Sequence, residues 1–159
     1  GSLDINNFQN NYFEGNVNGI NFVGGLIGSV YATNFIKQSY SLGKVNGKEK
    51  VGGLIGGFDV HGTSFPTVKN AYSNADVNGD DYVGGLIGDF YDTYSGNPES
   101  ENCYWNIETS SQTISYKGID LITSEMKDKS SYNNWDFTNV WGIDSNINDG
   151  YPYLRVFND

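Results

Sequence analysis

The hexapeptide Val-Gly-Gly-Leu-Ile-Gly occurs three times, at Val23–Gly28, Val51–Gly56 and Val83–Gly88, with copies 28 and 32 residues apart. Each begins four residues after the glycine of a Val-Asn-Gly, at Val17–Gly19, Val45–Gly47 and Val77–Gly79. A repeat this regular constrains the chain to an architecture in which each unit packs on a copy of itself. The register extends upstream: Ile36-Lys37-Gln38-Ser39-Tyr40-Ser41 aligns with Val68-Lys69-Asn70-Ala71-Tyr72-Ser73, and Phe8 to Tyr12 fits more weakly. A decayed last copy follows at Asn102-Cys103-Tyr104, after which the repeat stops.

The chain of 159 residues suits one domain with a core. Its 21 Gly, 12 Tyr and 9 Phe, against 18% charged residues and 3 Pro, favour strands and turns over helices. A net charge of −10 argues against nucleic acid and anionic bilayers as partners, since both would be repelled. No run approaches the ~18 apolar residues of a membrane span, and no signal peptide is recognisable. Gly1-Ser2 reads as a cloning scar, so the rest of a parent polypeptide is an expected partner. The single cysteine, Cys103, stands where other copies have Ser39 and Ala71 and reads as a small packed residue. An acidic repeat chain almost free of cysteine is compatible with the bacterial cell surface.

Each unit reads as an apolar-aromatic strand, a Val-Asn-Gly corner, a Val-Gly-Gly-Leu-Ile-Gly strand and a loop, with Asn-Gly expected to supply positive φ at the corner. Antiparallel hairpins and stacked coils both accommodate such a unit. Identity at fixed stations favours stacking, because coils roughly 4.8 Å apart bring like residues into ladders. The expected ladders are Asn18, Asn46 and Asn78; Tyr12, Tyr40, Tyr72 and Tyr104; and Val23, Val51 and Val83. The paired glycines, among them Gly25, Gly53 and Gly85, imply close backbone approach or a bend. Strict alternation would put Val23 and Ile27 on one face and Leu26 on the other, while a bulge at the glycines would reverse this. The expected fold is all-β: a short parallel β-solenoid of about three to four coils over residues 3–104, with a C-terminal cap over 105–159.

Within that cap, Thr123 or Ser124 is positioned to cap a short helix, and strands are expected within 139–143 and 150–154. Trp105, Trp135 and Trp141 are expected to close the open end of the stack. The units differ most in the loops after the hexapeptide, the usual binding side of a solenoid. Val30, Phe58 and Phe90 share one station there and read as a plug in the core. Phe65, Tyr91 and Tyr94 lie off that station and are the candidates for an exposed binding surface.

These residues resemble the GLUG repeat family, through Gly25-Leu26-Ile27-Gly28, Gly53-Leu54-Ile55-Gly56 and Gly85-Leu86-Ile87-Gly88. The upstream Ser39-Tyr40-Ser41-x-Gly43-x-Val45-x-Gly47 is the family's usual companion. The tail is similar to the segment that often follows such repeats, at Tyr104-Trp105, Met126-Lys127, Trp135-Asp136-Phe137 and Asn148-Asp149-Gly150-Tyr151-Pro152-Tyr153-Leu154. The resemblance implies an extracellular module of large bacterial surface proteins, either adhesins or IgA-specific zinc metallopeptidases in which the repeats are accessory. It supplies no catalytic residues.

Catalytic chemistry is sparse. His61 is the only histidine, which excludes a two-histidine zinc site within the chain. Asp80, Asp81, Asp89 and Asp92 are weak calcium candidates, because no established calcium-loop pattern surrounds them. The same acids would have to oppose one another across a bond for glycosidic cleavage. The sequence therefore predicts a non-enzymatic structural or adhesive module without a cofactor, binding a host glycan or an extracellular protein such as immunoglobulin A. The alternatives are a substrate-positioning module of an IgA-specific metallopeptidase and a β-helix enzyme that cleaves polysaccharide.

Overall fold

The computed structural model describes residues 2–3, 7–31, 35–60, 65–92 and 97–158, with side chains from Asn7 onward except those of Tyr91 and Asp92. The repeat region contains β1 (Ser2–Leu3), β2 (Asn7–Asn18), β3 (Asn21–Gly24), β4 (Ile27–Val30), β5 (Phe35–Asn46), β6 (Glu49–Gly52), β7 (Ile55–Val60), β8 (Thr67–Asn78), β9 (Asp81–Gly84) and β10 (Ile87–Asp92). There follow β11 (Glu99–Glu101), β12 (Tyr104–Asn106), β13 (Ile119–Leu121), β14 (Trp141–Gly142) and β15 (Tyr153–Leu154), with the short helices α1 (Ile107–Ser110) and α2 (Thr123–Met126). The chain is mostly β, as its composition predicts.

Three parallel sheets organise the repeats, in the orders β1-β4-β7-β10, β3-β6-β9 and β13-β12-β8-β5-β2. Neighbouring strands in each come from successive units, and like residues pair with like. Tyr12 is opposite Tyr40, Tyr40 opposite Tyr72 and Tyr72 opposite Tyr104. Asn18, Asn46 and Asn78 form one column, and Val23, Val51 and Val83 another. Tyr12 and Tyr72 both stack on Tyr40 with ring centroids 5.0 Å apart, the separation of the strands themselves. The amide column is less regular, because Asn46 Nδ2 donates to Asn18 Oδ1 at 3.1 Å whereas Asn78 Nδ2 turns to Asp76.

The glycine pairs are corners. Val-Gly-Gly-Leu-Ile-Gly is divided between two sheets, ending one strand at Gly52 and starting the next at Ile55. A Cβ on Gly24, Gly52 or Gly84 would overlap the carbonyl oxygen of Ile27, Ile55 or Ile87, so only glycine permits so tight a bend. A Cβ on Gly25 or Gly53 would strike the carbonyl oxygen of Gly53 or Gly85, and on Gly85 it would strike the Trp105 ring. The choice between Leu and Ile dissolves at such a corner: Leu54, Ile55, Leu86 and Ile87 are all fully buried.

The Asn-Gly stations correct a second expectation. In the repeats positive φ is found neither there nor in the glycines that follow, but at Phe22, Lys50 and Tyr82, at Asn10, Gln38, Asn70 and Asn102, and at Gly15 and Gly43 upstream of the corner. The ladder runs on through the Asn-Gly corner, with Gly19 N donating to Asn46 O and Gly47 N to Asn78 O. Gly47 and Gly79 are required for space, because a Cβ there would run into the valine column at Val23, Val51 and Val83. The left-handed residue at Gln38 or Asn70 shifts the alternation by one, so that Ile36 and Ser39, or Val68 and Ala71, both face the core.

The core column Phe13–Ser41–Ser73–Trp105 carries small serines in its middle and a ring at each end. Beyond the last full unit, residues 112–116 stand in for a further strand. Gly85 N donates to Ile114 O, Tyr116 N donates to Ile87 O, and Ser115 Oγ accepts from Leu86 N and Ile87 N. Of the three tryptophans expected to close this end, Trp105 does so. Trp135 and Trp141 lie elsewhere, on the outward tyrosine column, in a second buried cluster with Tyr40, Tyr72, Tyr104, Tyr132, Tyr151 and Leu154. Residues 119–158 thus form a lateral cover over the side of the stack. Within it, α2 begins one residue after Ile122, whose N–H is held by Glu125, while Thr123 N donates to Glu108; neither Thr123 nor Ser124 caps the helix. β14 and β15 pair antiparallel inside the two stretches expected to be strands.

Candidate functional site

The loop-side candidates are not gathered into one surface by the described residues. Phe65 is half-buried and packs edge-on against Phe90, with centroids 6.3 Å apart. It belongs to the same packing as Phe58, which is fully buried at the station shared with Val30 and Phe90. The backbone of Tyr91 pairs with Asp59; its side chain and the whole of Tyr94 lie outside the described residues, as does His61. Asp80 and Asp81 are exposed and Asp89 is half-buried, while the Asp92 side chain lies outside the description. Among the described residues no group of three or more His, Cys, Asp or Glu side chains is placed to hold a metal ion.

The raised ionisation constants follow from burial. Burial pushes the Cys103 thiol up to about 11, and it contacts Val68 O and Glu101 O. Tyr72 and Tyr132 are pushed up by the same cause, as is Tyr40, where neighbouring Tyr12 and Glu14 add to it. These groups hold their protons because they are packed, and the hydroxyls of Tyr72 and Tyr104 fasten the cover. Tyr72 Oη donates to Pro152 O at 2.7 Å, Asn148 Nδ2 donates to Tyr72 Oη at 2.9 Å, and Tyr104 Oη accepts from Asn133 N at 2.9 Å.

Where the cover leaves the sheet, a cleft of about 450 Å³ opens, lined by Glu14, Leu42, Gly43 and Asn74 from the stack and by Asn146, Asn148, Asp149 and Tyr151 from the cover. Glu14, Leu42 and Asn74 are one column across β2, β5 and β8, the outward column beside the tyrosines. On the opposite side, Asn148, Asp149 and Gly150 are three successive left-handed residues, with φ of 51°, 50° and 84°. Asparagine and aspartate tolerate that conformation better than other non-glycine residues, but a run of it must be held. Asn148 Nδ2 holds it by donating to Tyr72 Oη and to Pro152 O at 2.8 Å. Asn106 Nδ2 joins the two sides, donating to Asn74 Oδ1 at 2.9 Å and to Tyr151 Oη at 3.3 Å.

Little in the sequence marks this cleft, whereas the variable loops stand out by their differences from unit to unit. Its stack side, Glu14, Leu42, Gly43 and Asn74, follows the repeat offsets, but no spacing rule connects that side to the cover residues within 146–151. The one available signal was Asn148-Asp149-Gly150, a turn-forming triplet in the tail.

The fold and site together define a parallel-β repeat protein with a lateral cover and a polar cleft at the seam. No family model matches the chain, and no curated protein matches it. A solved structure described as a "putative immunoglobulin A1 protease" from Bacteroides ovatus shares the fold, with a TM-score of 0.72 and 19% identity over 98% of this chain. The match spans 62% of that neighbour's chain.

Proposed function

We propose that this chain is a non-catalytic structural and adhesive module of the GLUG type, a short β-solenoid of three to four coils carried by a secreted or surface-anchored bacterial protein. The observation that carries this reading is the superposition of Gly, Val, Ser and Tyr stations from unit to unit. Repeated residues meet each other, and their identity serves packing. What is not repeated, the lateral cover and its cleft, is where a partner would be recognised. The test is a binding screen of the intact protein against host extracellular proteins and glycans, together with incubation on polysaccharides. Saturable binding without product formation is expected; turnover of a polysaccharide, or no binding to any partner, would sink the reading.

A second reading makes the chain an accessory, substrate-positioning module of an IgA-specific zinc metallopeptidase. Its support is the fold shared with the Bacteroides ovatus protein. It predicts micromolar or tighter affinity for immunoglobulin A1 by surface plasmon resonance, and a zinc-binding catalytic domain elsewhere in the same polypeptide. Equal, weak signals for immunoglobulin A1 and an unrelated serum protein would remove it.

A further inference from the structure

We infer that the seam cleft binds an uncharged oligosaccharide. The inference deepens the adhesive reading and rests on it, naming where the ligand sits and what chemistry it has. Both hydrogen-bonding roles remain open among the lining groups. Within the described residues, no hydrogen bond engages the Glu14 or Asp149 carboxylate or Asn148 Oδ1, and all three accept. Asn74 Nδ2 and the Tyr151 hydroxyl proton are likewise unengaged, since Asn74 Oδ1 and Tyr151 Oη are the atoms that accept from Asn106, and both groups donate. A ligand that meets such a mixture must offer groups that donate and accept at once, which is what a row of alcohols does.

Charge narrows the class. The lining holds two carboxylates and no Lys, Arg or His, and Lys127 beside it has its ammonium over the Tyr151 ring, 4.7 Å from the centroid, so within a chain of net charge −10 a neutral ligand is favoured over uronates, sialic acids, sulfates and phosphates. Leu42 and the Tyr151 ring are the lining's main apolar surfaces, too little to hold a lipid or an apolar peptide. The volume of about 450 Å³ falls within the range of small-ligand sites. The stack side crosses β2, β5 and β8, roughly 10 Å from first to last at the spacing of parallel strands, which gives room for about two sugar rings laid across the strands. The cover side has a fixed shape, because the left-handed run at Asn148–Gly150 is fastened to Tyr72 and Pro152. A preformed wall costs a ligand less ordering than a loose loop would.

The experiment is a titration of isotopically labelled protein with neutral gluco-, galacto- and manno-oligosaccharides, followed by NMR. The expected result is saturable shifts in the Asn74 and Asn148 side-chain amides and in the Gly43 and Gly150 backbone amides. Asp149→Asn should weaken binding about tenfold or more while leaving the melting temperature close to that of the parent; Asn74→Ala should weaken binding as much and also lower the melting temperature, because buried Asn106 Nδ2 loses an acceptor. Asp149→Asn is chosen because asparagine also tolerates the left-handed backbone. The inference is overturned by silence toward every neutral oligosaccharide, by preference for uronate oligomers, by the same shifts with calcium alone, or by shifts confined to the Phe65–Phe90 side. If the protein adheres to host material while the cleft amides stay still, the cleft assignment fails and the adhesive reading stands. If the cleft takes a saccharide but the protein adheres to nothing, the adhesive reading fails and the assignment stands.

Discussion

The repeat stack and the lateral cover both bury aromatic rings, but by opposite means. In the stack a ring meets its own counterpart one unit away, as Tyr12, Tyr40 and Tyr72 do at 5.0 Å. In the cover the rings meet residues that are not their repeat counterparts: Trp135 stacks on Trp141 at 4.2 Å, Tyr132 meets Tyr104 edge-on at 5.1 Å, and Trp135 Nε1 donates to Asn102 O. Repetition makes the stack uniform and tolerant of length, while single-use contacts fix the cover at one place on it. Stability that depends on repeated stations should therefore fail everywhere at once, and stability that depends on the cover should fail locally.

Gly53→Ala breaks the comparison most severely. Its Cβ would overlap Gly85 O and the Ser73 side chain inside a corner with no room to move, so a loss of about 4 kcal/mol or more is expected. Urea denaturation should show no cooperative native baseline; an ordinary transition would mean that the corner has slack. Trp141→Ala, which removes a fully buried ring touching Tyr40, Tyr72 and Trp135, should cost about 3–5 kcal/mol. Hydrogen exchange should quicken in residues 119–158 while β5 and β8 keep slow amides. Uniform quickening would show that the two regions are one cooperative unit.

A smaller effect is read by pH. The folded Cys103 thiol ionises near 11 against an ordinary value of 9.0, so the unfolded chain loses its proton first as the solution becomes alkaline. Its contribution is whole below about pH 9 and gone by about pH 11, a loss of roughly 2–3 kcal/mol. Cys103→Ala, which adopts the Ala71 solution at the same station, should flatten the decline of the urea midpoint over that interval; parallel curves for the two proteins would rule the thiol out as its cause. The smallest expected effect belongs to the exposed amide ladder. Asn46→Ala removes the bond to Asn18 and should cost about 0.5 kcal/mol, within the error of many denaturation curves.

The columns were legible in the sequence because each residue predicts its own neighbour: once Tyr40 aligns with Tyr72, pairing follows from strand spacing. The corner was less legible. Val-Gly-Gly-Leu-Ile-Gly reads as a single strand under two-residue alternation, and only the overlap of a Gly52 Cβ with Ile55 O shows that the pair must turn. The Asn-Gly stations misled because glycine has two uses, and here lack of bulk beside the valine column matters more than freedom of φ. Residues 105–159 read as a cap on the open end of the stack; Trp105 and residues 112–116 lie there, whereas Trp135 and Trp141 lie on the tyrosine column. Trp135 and Trp141 suit an open core end as well as a tyrosine column, and aromatic content alone does not distinguish them. The cleft combines both gaps, since it exists only where a repeated surface meets an unrepeated one.

The cover also carries Phe157 back against Tyr12, their rings 5.2 Å apart, so the last turn of the chain rests on the first full strand of the stack. Ring by ring, the cover thereby reaches every member of the tyrosine column: Phe157 at Tyr12, Trp141 at Tyr40 and Tyr72, and Tyr132 at Tyr104. The cover thus acts as a gauge of the stack, since a unit inserted between Tyr12 and Tyr104 would leave one of these rings without its counterpart.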